Sequence, residues 1–222
     1  MAKAPMSVII PVRDGAKFIG EALQSIYEQT CQPEEVIVID DGSTDDTPAE
    51  VRRFAEVRYI RQPALGDLHA KNHGVRAAGK PYLAFLDADD LWPPRRNEIQ
   101  VGAFAEDPRL DFVYGLVIQF AGSPAEAVIQ SGDATPARLF GSVTIRRDSL
   151  SKVGPFATDW RVGGLVEWWT RVADVGLRGK CVPELALLRR IHDSNLGRTV
   201  KEPMRDYLSV LHAVVNRRRG RQ

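Results

Sequence analysis

What this sequence has little of narrows its class first. Its 222 residues include two cysteines, Cys31 and Cys181. They lie far apart, with no CxxC pair and no histidine at metal spacing, so neither a zinc site nor a disulfide framework is suggested, and free thiols in a reducing cytoplasm are the plain reading. A charge imbalance is missing too. Lys and Arg total 30 against 29 Asp and Glu, which gives no reason to expect a nucleic acid or another strongly charged partner. The apolar run in MAKAPMSVIIPV is about five residues long, short of the roughly 7–15 of a signal-peptide core. No window approaches the ~18 uncharged apolar residues of a membrane span. The expectation is a soluble, cytoplasmic protein. Glycine phosphate cradles are absent as well: no GxGxxG follows the first strand and no GxxxxGK precedes a Ser or Thr, which argues against a dinucleotide-binding Rossmann domain and a P-loop nucleotidase.

What is there begins with a 44% hydrophobic composition, enough for a core in a chain of this length. SVIIPV, residues 7–12, reads as a short buried strand whose Pro11 requires that no ladder donor be needed there. From Lys17 to Gln29 the apolar residues Phe18, Ile19, Ala22, Leu23, Ile26 and Tyr27 recur at helical spacing, and Pro33 bars continuation. EEVIVIDDGSTDDT predicts a strand over Val36–Ile39, a turn at Gly42 and a helix cap at Ser43 or Thr44. A strand over 57–61, a helix over 68–78 and a strand in PYLAFLD ending at Asp87 follow. Strands alternating with helices at this spacing predict an α/β fold, a mostly parallel sheet flanked by helices with a Rossmann-like N-terminal half. Such sheets bind ligands at the carboxyl ends of their strands. Val12–Asp14, Asp40–Gly42 and Asp87–Asp90 all fall at such ends, so three polar segments should converge on one crevice.

The second half is less regular. Strands are expected over 110–120, 138–147 and 180–191, helices over 165–175 and 203–217, and a loop-rich excursion in AGSPAEAVIQSGDATP, residues 121–136. No linker composition marks a boundary near residue 108. The reading is one domain over residues 1–222, with a nucleotide-binding half to about residue 108 and an acceptor-binding half from about 109 that ends in a C-terminal helix.

LDADDLW, residues 86–92, places three carboxylates in four positions. Such crowding is tolerable only if the groups are exposed, protonated or neutralised by a cation. Hard divalent cations do this with oxygen ligands and complete their shells with substrate phosphates. The competing reading is an acidic loop whose aspartates cap the next helix. A metal on Asp87 and Asp89, helped by a basic group such as Lys71, would handle phosphate charge without a glycine cradle.

VIIPVRDGAKFIGEALQSIYEQT, EEVIVIDDGSTDDT, the spaced Gly66, Ala70, Asn72 and Gly74, and PYLAFLDADDLW together resemble the family 2 glycosyltransferases of GT-A fold. The match runs in order over residues 7–92. The resemblance implies a nucleotide-sugar donor with UDP expected as the nucleotide, a divalent Mn2+ or Mg2+ at a DxD motif, and transfer with inversion. Carried over by position, Pro11, Val12 and Arg13 would line the base and ribose pocket and Asp41 would accept the base's imide hydrogen bond. Asp87 and Ala88 would face ribose and diphosphate, Asp89 would be the main metal ligand, and Asp90 is left as a cap or supporting residue. Arg13-Asp14 stands where the family often has Tyr-Asn, so a guanidinium replaces an aromatic ring as the group available to stack on the base.

Beyond residue 92 the resemblance implies a general base that opens a helix after a glycine-containing loop. VGPF, residues 153–156, and RVGGLVEWWTRVADVGLRG supply Glu167 there, with Glu-Trp in place of the usual Glu-Asp and Asp159 in reserve. The alternative for Glu167 is a helical carboxylate paired with Arg171 at i+4. Trp168 and Trp169 would wall a sugar ring or, for at least one of them, belong to the core. RRIHDSNLGR, residues 189–198, resembles a late Arg-x-His-x-x-Asn-Leu segment of some bacterial members. There His192 would complete the metal shell, contact the diphosphate or serve structurally, and Arg189 or Arg190 would neutralise phosphate. The acceptor is left open among glycan, lipid-linked, peptide and small molecule. NRRRGRQ, residues 216–222, would give peripheral contact with anionic lipid or remain a solvated helix end. A non-catalytic nucleotide-sugar-binding module is the competing class. A sugar-phosphate nucleotidyltransferase would need a glycine-rich loop after the first strand, which is absent.

Overall fold

The computed structural model describes residues 3–122, 134–160, 163–193, 195 and 203–219. Strand β1 (Ala4–Val12) is buried along nearly its whole length, as expected of an interior strand in a parallel sheet, covered on both faces. It lies between β2 (Pro33–Asp40) and β4 (Tyr82–Phe85), and β3 (Arg58–Arg61) flanks β2, all four running parallel. Helices α1 (Ile19–Tyr27), α2 (Thr47–Arg52) and α3 (Asp67–Ala77) make the connections. Pro11 pairs only with Ile39 of β2 because β4 has already ended beside Ile9, so no donor is missed.

Alternation along β1 divides the core in two. Val8, Ile10 and Val12 pack with Leu23 and Ile26 of α1, while Ile9 packs on the opposite face with Ile37, Ile39 and Ala70 of α3. Gly74 permits the close approach of α3, since a Cβ there would lie 2.3 Å from Ile9 Cγ2. Asn72, on the same helix, reaches across to residue 156: its amide donates to the Phe156 carbonyl (2.8 Å) and its oxygen accepts from the Phe156 N–H (2.9 Å). The spaced small residues and asparagine of α3 therefore pack the sheet and tie the two halves of the chain.

The remaining elements are α4 (Arg96–Glu106), β5 (Phe112–Phe120), β6 (Thr135–Pro136), β7 (Val143–Arg146), α5 (Arg147–Val153), α6 (Gly164–Val175), β8 (Gly179–Arg190) and α7 (Pro203–Arg219). The sheet order is β3-β2-β1-β4-β7-β5-β6, with β8 alongside β5. β7 runs antiparallel to both β4 and β5, and β8 runs parallel to β5. The expected mostly parallel sheet flanked by helices is the fold observed. Among the described residues no helix is long and apolar enough to cross a membrane.

The single strand expected over 138–147 is divided into a 3-10 turn at Phe140–Ser142, β7, and the start of α5. Helix α4 has no counterpart in the sequence expectations because polar residues occupy its inner face. Arg96, Asn97 and Gln100 are buried beside Ala103 and Phe104. Gln100 donates to the Ser142 carbonyl and accepts from Thr144, and Arg96 donates to the Val143 carbonyl while lying 3.8 Å over the Trp92 ring. Inward polar groups that are hydrogen-bonded erase the apolar periodicity on which such a helix is recognised. Of the excursion over 121–136, residues 123–133 lie outside the described residues.

Asp40 is fully buried where β2 ends. Burial pushes its carboxyl up, but hydrogen bonds from the Tyr59 hydroxyl and the Ser43 N–H outweigh burial and hold it below the usual carboxylate range. A carboxyl depressed in the folded state contributes stability above its unfolded pKa of about 4 and loses it as pH falls through the folded value. Tyr59→Phe is expected to lower the unfolding free energy by about 1–2 kcal/mol at pH 7. The deficit should shrink at pH 3, as urea unfolding at the two pH values would show.

Candidate active site

Three loops meet at the carboxyl ends of β1, β2 and β4. Asp14, after β1, adopts a left-handed backbone with φ 51°, a conformation an aspartate tolerates when its side chain bonds locally. Its Oδ1 accepts from the Thr44 N–H and hydroxyl, and its own N–H donates to Ser43 Oγ. Ser43 and Thr44 therefore lace the β1 and β2 loops together and do not cap α2, which begins at Thr47. Asp41 is nearly inaccessible and held by three donors: Gln62 Nε2 (2.7 Å) and the Leu65 N–H (2.8 Å) reach Oδ1, and the Gly66 N–H (2.8 Å) reaches Oδ2. Gly66 sits at φ 109°, where a side chain would be strained. A carboxylate accepts about four hydrogen bonds, so Asp41 retains capacity for one more on the cleft side.

β4 ends at Phe85, two residues before the expected Asp87, and the chain turns so that the Asp90 N–H bonds the Asp87 carbonyl (3.0 Å). The turn sends the three carboxylates to three different partners. Asp87 Oδ1 accepts from Lys71 Nζ at 2.9 Å. Asp89 Oδ2 lies 2.9 Å from His192 Nε2 and accepts from Asn195 Nδ2 at 3.1 Å. Asp90 is buried and accepts from the Arg190 N–H at 2.8 Å. Burial, then the charges of Asp87 and Asp89, push the Asp90 carboxyl well above its usual range.

Lys71, expected beside phosphate, is buried and pairs with Asp67 Oδ1 (2.6 Å) and Asp87 Oδ1 (2.9 Å). Burial lowers its affinity for the proton, but the two carboxylates outweigh burial and hold it above the usual lysine range. It supports Asp87 and does not itself line the cleft.

The loops enclose an open cleft of about 670 Å³ lined by Pro11, Val12, Arg13, Asp41, Asp87, Ala88, Asp89 and His192. These are the nucleotide and metal residues expected from the sequence, Lys71 excepted. Asp159 and Arg189 line it as well. Phe18, expected only as part of an apolar helix face, lies on the cleft wall with its ring stacked on His192 at 4.7 Å. Trp160 also borders the cleft, and no sequence signal singled it out.

Glu167 takes a different position. It lies in the first turn of α6, buried, with both oxygens 3.0 Å from Arg171 Nε and Oε1 2.6 Å from an Arg217 nitrogen. Arg217 also donates to Thr170 Oγ1 and pairs with Asp174, pinning α7 to α6. Glu167 does not line the cleft. The i+4 pairing with Arg171 is present, but buried rather than exposed. Trp168 is core, and Trp169 packs against Phe112 with its indole N–H on the Arg138 carbonyl. Of the C-terminal arginine cluster, Arg217 is held in this network, and residues 220–222 lie outside the described residues, as do Ser194, Leu196, Gly197 and Arg198 of the late motif.

Among the described residues no three His, Cys, Asp or Glu side chains stand together as a cation cage. The cleft offers instead the Asp89 carboxylate with His192 at 2.9 Å, and Asp87 on the same lining; carboxylate oxygens are the donor type that a hard divalent cation takes when substrate phosphates complete its shell.

The family model for Glycosyl transferase family 2 matches residues 7–159. An uncharacterized glycosyltransferase of Rickettsia felis is 29% identical over 202 residues, covering 83% of this chain and 33% of its own. The chain thus spans about a third of that relative's length. Among solved structures, S. aureus TarS 1–349 in complex with UDP-GlcNAc aligns with a TM-score of 0.76 at 17% identity, over 96% of this chain and 65% of that one. The mannosyltransferase of Pyrobaculum calidifontis in complex with GDP-Man and Mn2+ aligns with a TM-score of 0.68 at 25% identity, over 88% and 59%.

Removing one partner of a buried ion-pair network leaves the others uncompensated. Glu167→Ala is therefore expected to destabilise the fold by about 3 kcal/mol. Asp159→Asn, on the cleft rim, should change stability by no more than about 0.5 kcal/mol. Denaturant unfolding of the two variants separates the roles.

Proposed function

The chain belongs to glycosyl transferase family 2, and from that membership we propose that it transfers a sugar from a nucleotide-diphosphate donor, UDP-sugar by preference, to an acceptor hydroxyl with inversion. The observation that carries this reading is the convergence of Asp41, Asp87 and Asp89, from two strand ends, on one cleft large enough for a nucleotide-sugar. The TarS complex with UDP-GlcNAc and the mannosyltransferase complex with GDP-Man support a nucleotide-sugar in a cleft of this fold.

In the proposed arrangement Asp41, with three of its four acceptor positions already taken, receives one N–H of the base, and Pro11, Val12 and Arg13 wall the base and ribose. Asp87 and Ala88 face ribose and diphosphate. Asp89 is the principal cation ligand, with Asp87 and His192 beside it. A bound Mn2+ or Mg2+ would supply positive charge to the departing diphosphate. Arg189, on the same cleft, adds a fixed charge for phosphate oxygens.

Inversion follows from a single displacement: the acceptor oxygen attacks the anomeric carbon on the face opposite the diphosphate while one carboxylate takes its proton. Of the two carboxylates considered, Asp159 lines the cleft and Glu167 is bound by Arg171 and Arg217. The geometry favours Asp159 as base and a structural role for Glu167. A carboxylate whose oxygens are both engaged by guanidinium groups, away from the cleft, is not placed to meet an acceptor hydroxyl. The second reading, a non-catalytic nucleotide-sugar-binding module, is favoured by one feature: the first turn of α6 presents no carboxylate to the cleft.

A screen of UDP- and GDP-sugars for metal-dependent hydrolysis or transfer tests the proposal. Wild-type activity with a UDP-sugar should fall at least about 100-fold in Asp89→Ala and in Asp159→Asn, with UDP binding retained in the latter. Equal activity in Asp89→Ala would remove the cation assignment. Full activity in Asp159→Asn together with its loss in a folded Glu167→Gln would return the base to Glu167. A wild-type protein that binds UDP and turns over no donor would favour the binding module.

A further inference from the structure

Two adjacent arginines end β8, and the fold uses them differently. Arg189 lines the cleft. Arg190 is buried at 6% exposure, and every nitrogen of its guanidinium donates. Nε reaches the Asp89 carbonyl (3.0 Å), one terminal nitrogen the Gly122 carbonyl (3.1 Å), and the other Glu21 of α1 (2.5 Å). Its backbone N–H donates to Asp90 Oδ1. The guanidinium lies over the rings of Phe18 and Phe120, at 5.1 and 4.8 Å. One residue thus joins the acidic turn after β4 to α1 and to the end of β5.

The acidic turn needs such a tie. β4 has ended before it, and the next fixed points on its far side are the paired backbones of Leu91 and Leu188. Between them the Asp89–Asp90 peptide is held at its N–H by the turn bond to the Asp87 carbonyl and at its carbonyl by the Arg190 Nε–H. The Asp89 side chain points the other way, toward His192, Asn195 and the cleft. We propose that Arg190 is a positioning residue for this cleft: it holds the Asp89 main chain so that the Asp89 carboxylate faces the donor's diphosphate, and it touches neither nucleotide nor sugar itself. The purpose assigned to the turn rests on the donor reading above; the manner in which it is held rests on the geometry alone. Lysine retains the charge but not the three-directional fork, so it cannot reach all three acceptors. Glu21, half exposed, supplies the counter-charge at the outer end.

The test uses the full chain with Arg190→Lys and, as a milder change that leaves the guanidinium in place, Glu21→Gln. Hydrogen exchange is read over the segment 87–91 and over β1 and β2, and UDP binding is measured by calorimetry with and without Mn2+. In Arg190→Lys, exchange of segment 87–91 is expected to rise by about tenfold while β1 and β2 stay protected. The gain in UDP affinity produced by Mn2+ should be lost while metal-free UDP binding persists. Glu21→Gln should shift both readouts in the same direction by less, and it carries the test if Arg190→Lys does not fold. Unchanged exchange over 87–91 in folded variants would overturn the proposal, as would a loosened turn with the Mn2+ effect on UDP intact. If the wild-type protein binds UDP with no Mn2+ effect, the cation assignment at Asp89 fails; if it does not bind UDP at all, the donor reading fails. Exchange of the turn then decides alone whether Arg190 holds it.

Discussion

Like charges packed at the end of a buried strand repel one another, and the rest of this cleft is organised around that repulsion. Two carboxylates about 4 Å apart at an effective dielectric near 20 repel by about 4 kcal/mol, a large share of the stability of a single domain. The turn after β4 relieves this by direction. Asp87 is met by Lys71 from α3, Asp89 by His192 and Asn195, and Asp90 by the Arg190 backbone. The partners come from elements far apart in the chain, so the acidic turn is also a point at which the two halves are joined. Asp90 stays buried next to two carboxylates and is held above the usual range as a result.

The same logic of a charged group held by fixed donors recurs at Asp41, whose carboxylate takes two backbone N–H groups and Gln62. On the proposed donor reading, a site for a flat polar base and a diphosphate gains from groups that are already oriented, because the ordering cost is met when the chain folds. Glu167 shows the opposite use of a carboxylate. Its two oxygens are closed off by Arg171 and Arg217, and it ties α7 to α6. One carboxylate therefore lies on the cleft and the other is closed into the packing of two helices.

Much of the N-terminal half was legible because its signals are local. A continuous apolar run bounded by polar turn residues defines β1, β2 and β4, and their carboxyl ends follow from topology. The positions of Pro11, Val12, Arg13, Asp41, Asp87, Ala88 and Asp89 on one cleft follow from that. Less was legible where inward-facing residues are polar. Helix α4 buries Arg96, Asn97 and Gln100, which leave no apolar periodicity to mark it in one dimension. The expected strand over 138–147 concealed a 3-10 turn and the start of α5, because a short β-branched run does not announce where it stops.

By itself the sequence determined the alternation of strands and helices, the placement of three acidic or basic loop segments at strand ends, and the family. Each depends on the spacing of apolar residues or on motifs a few residues long. Only the tertiary structure decided how the charges are shared. It put Lys71 under Asp87, turned Arg189 toward the cleft and Arg190 away from it, and brought Arg217 from fifty residues downstream onto Glu167. The physical reason is that an ion pair is a property of two side chains in space. A carboxylate's role depends on which distant donor the packed core brings within hydrogen-bonding reach, and no local pattern records that.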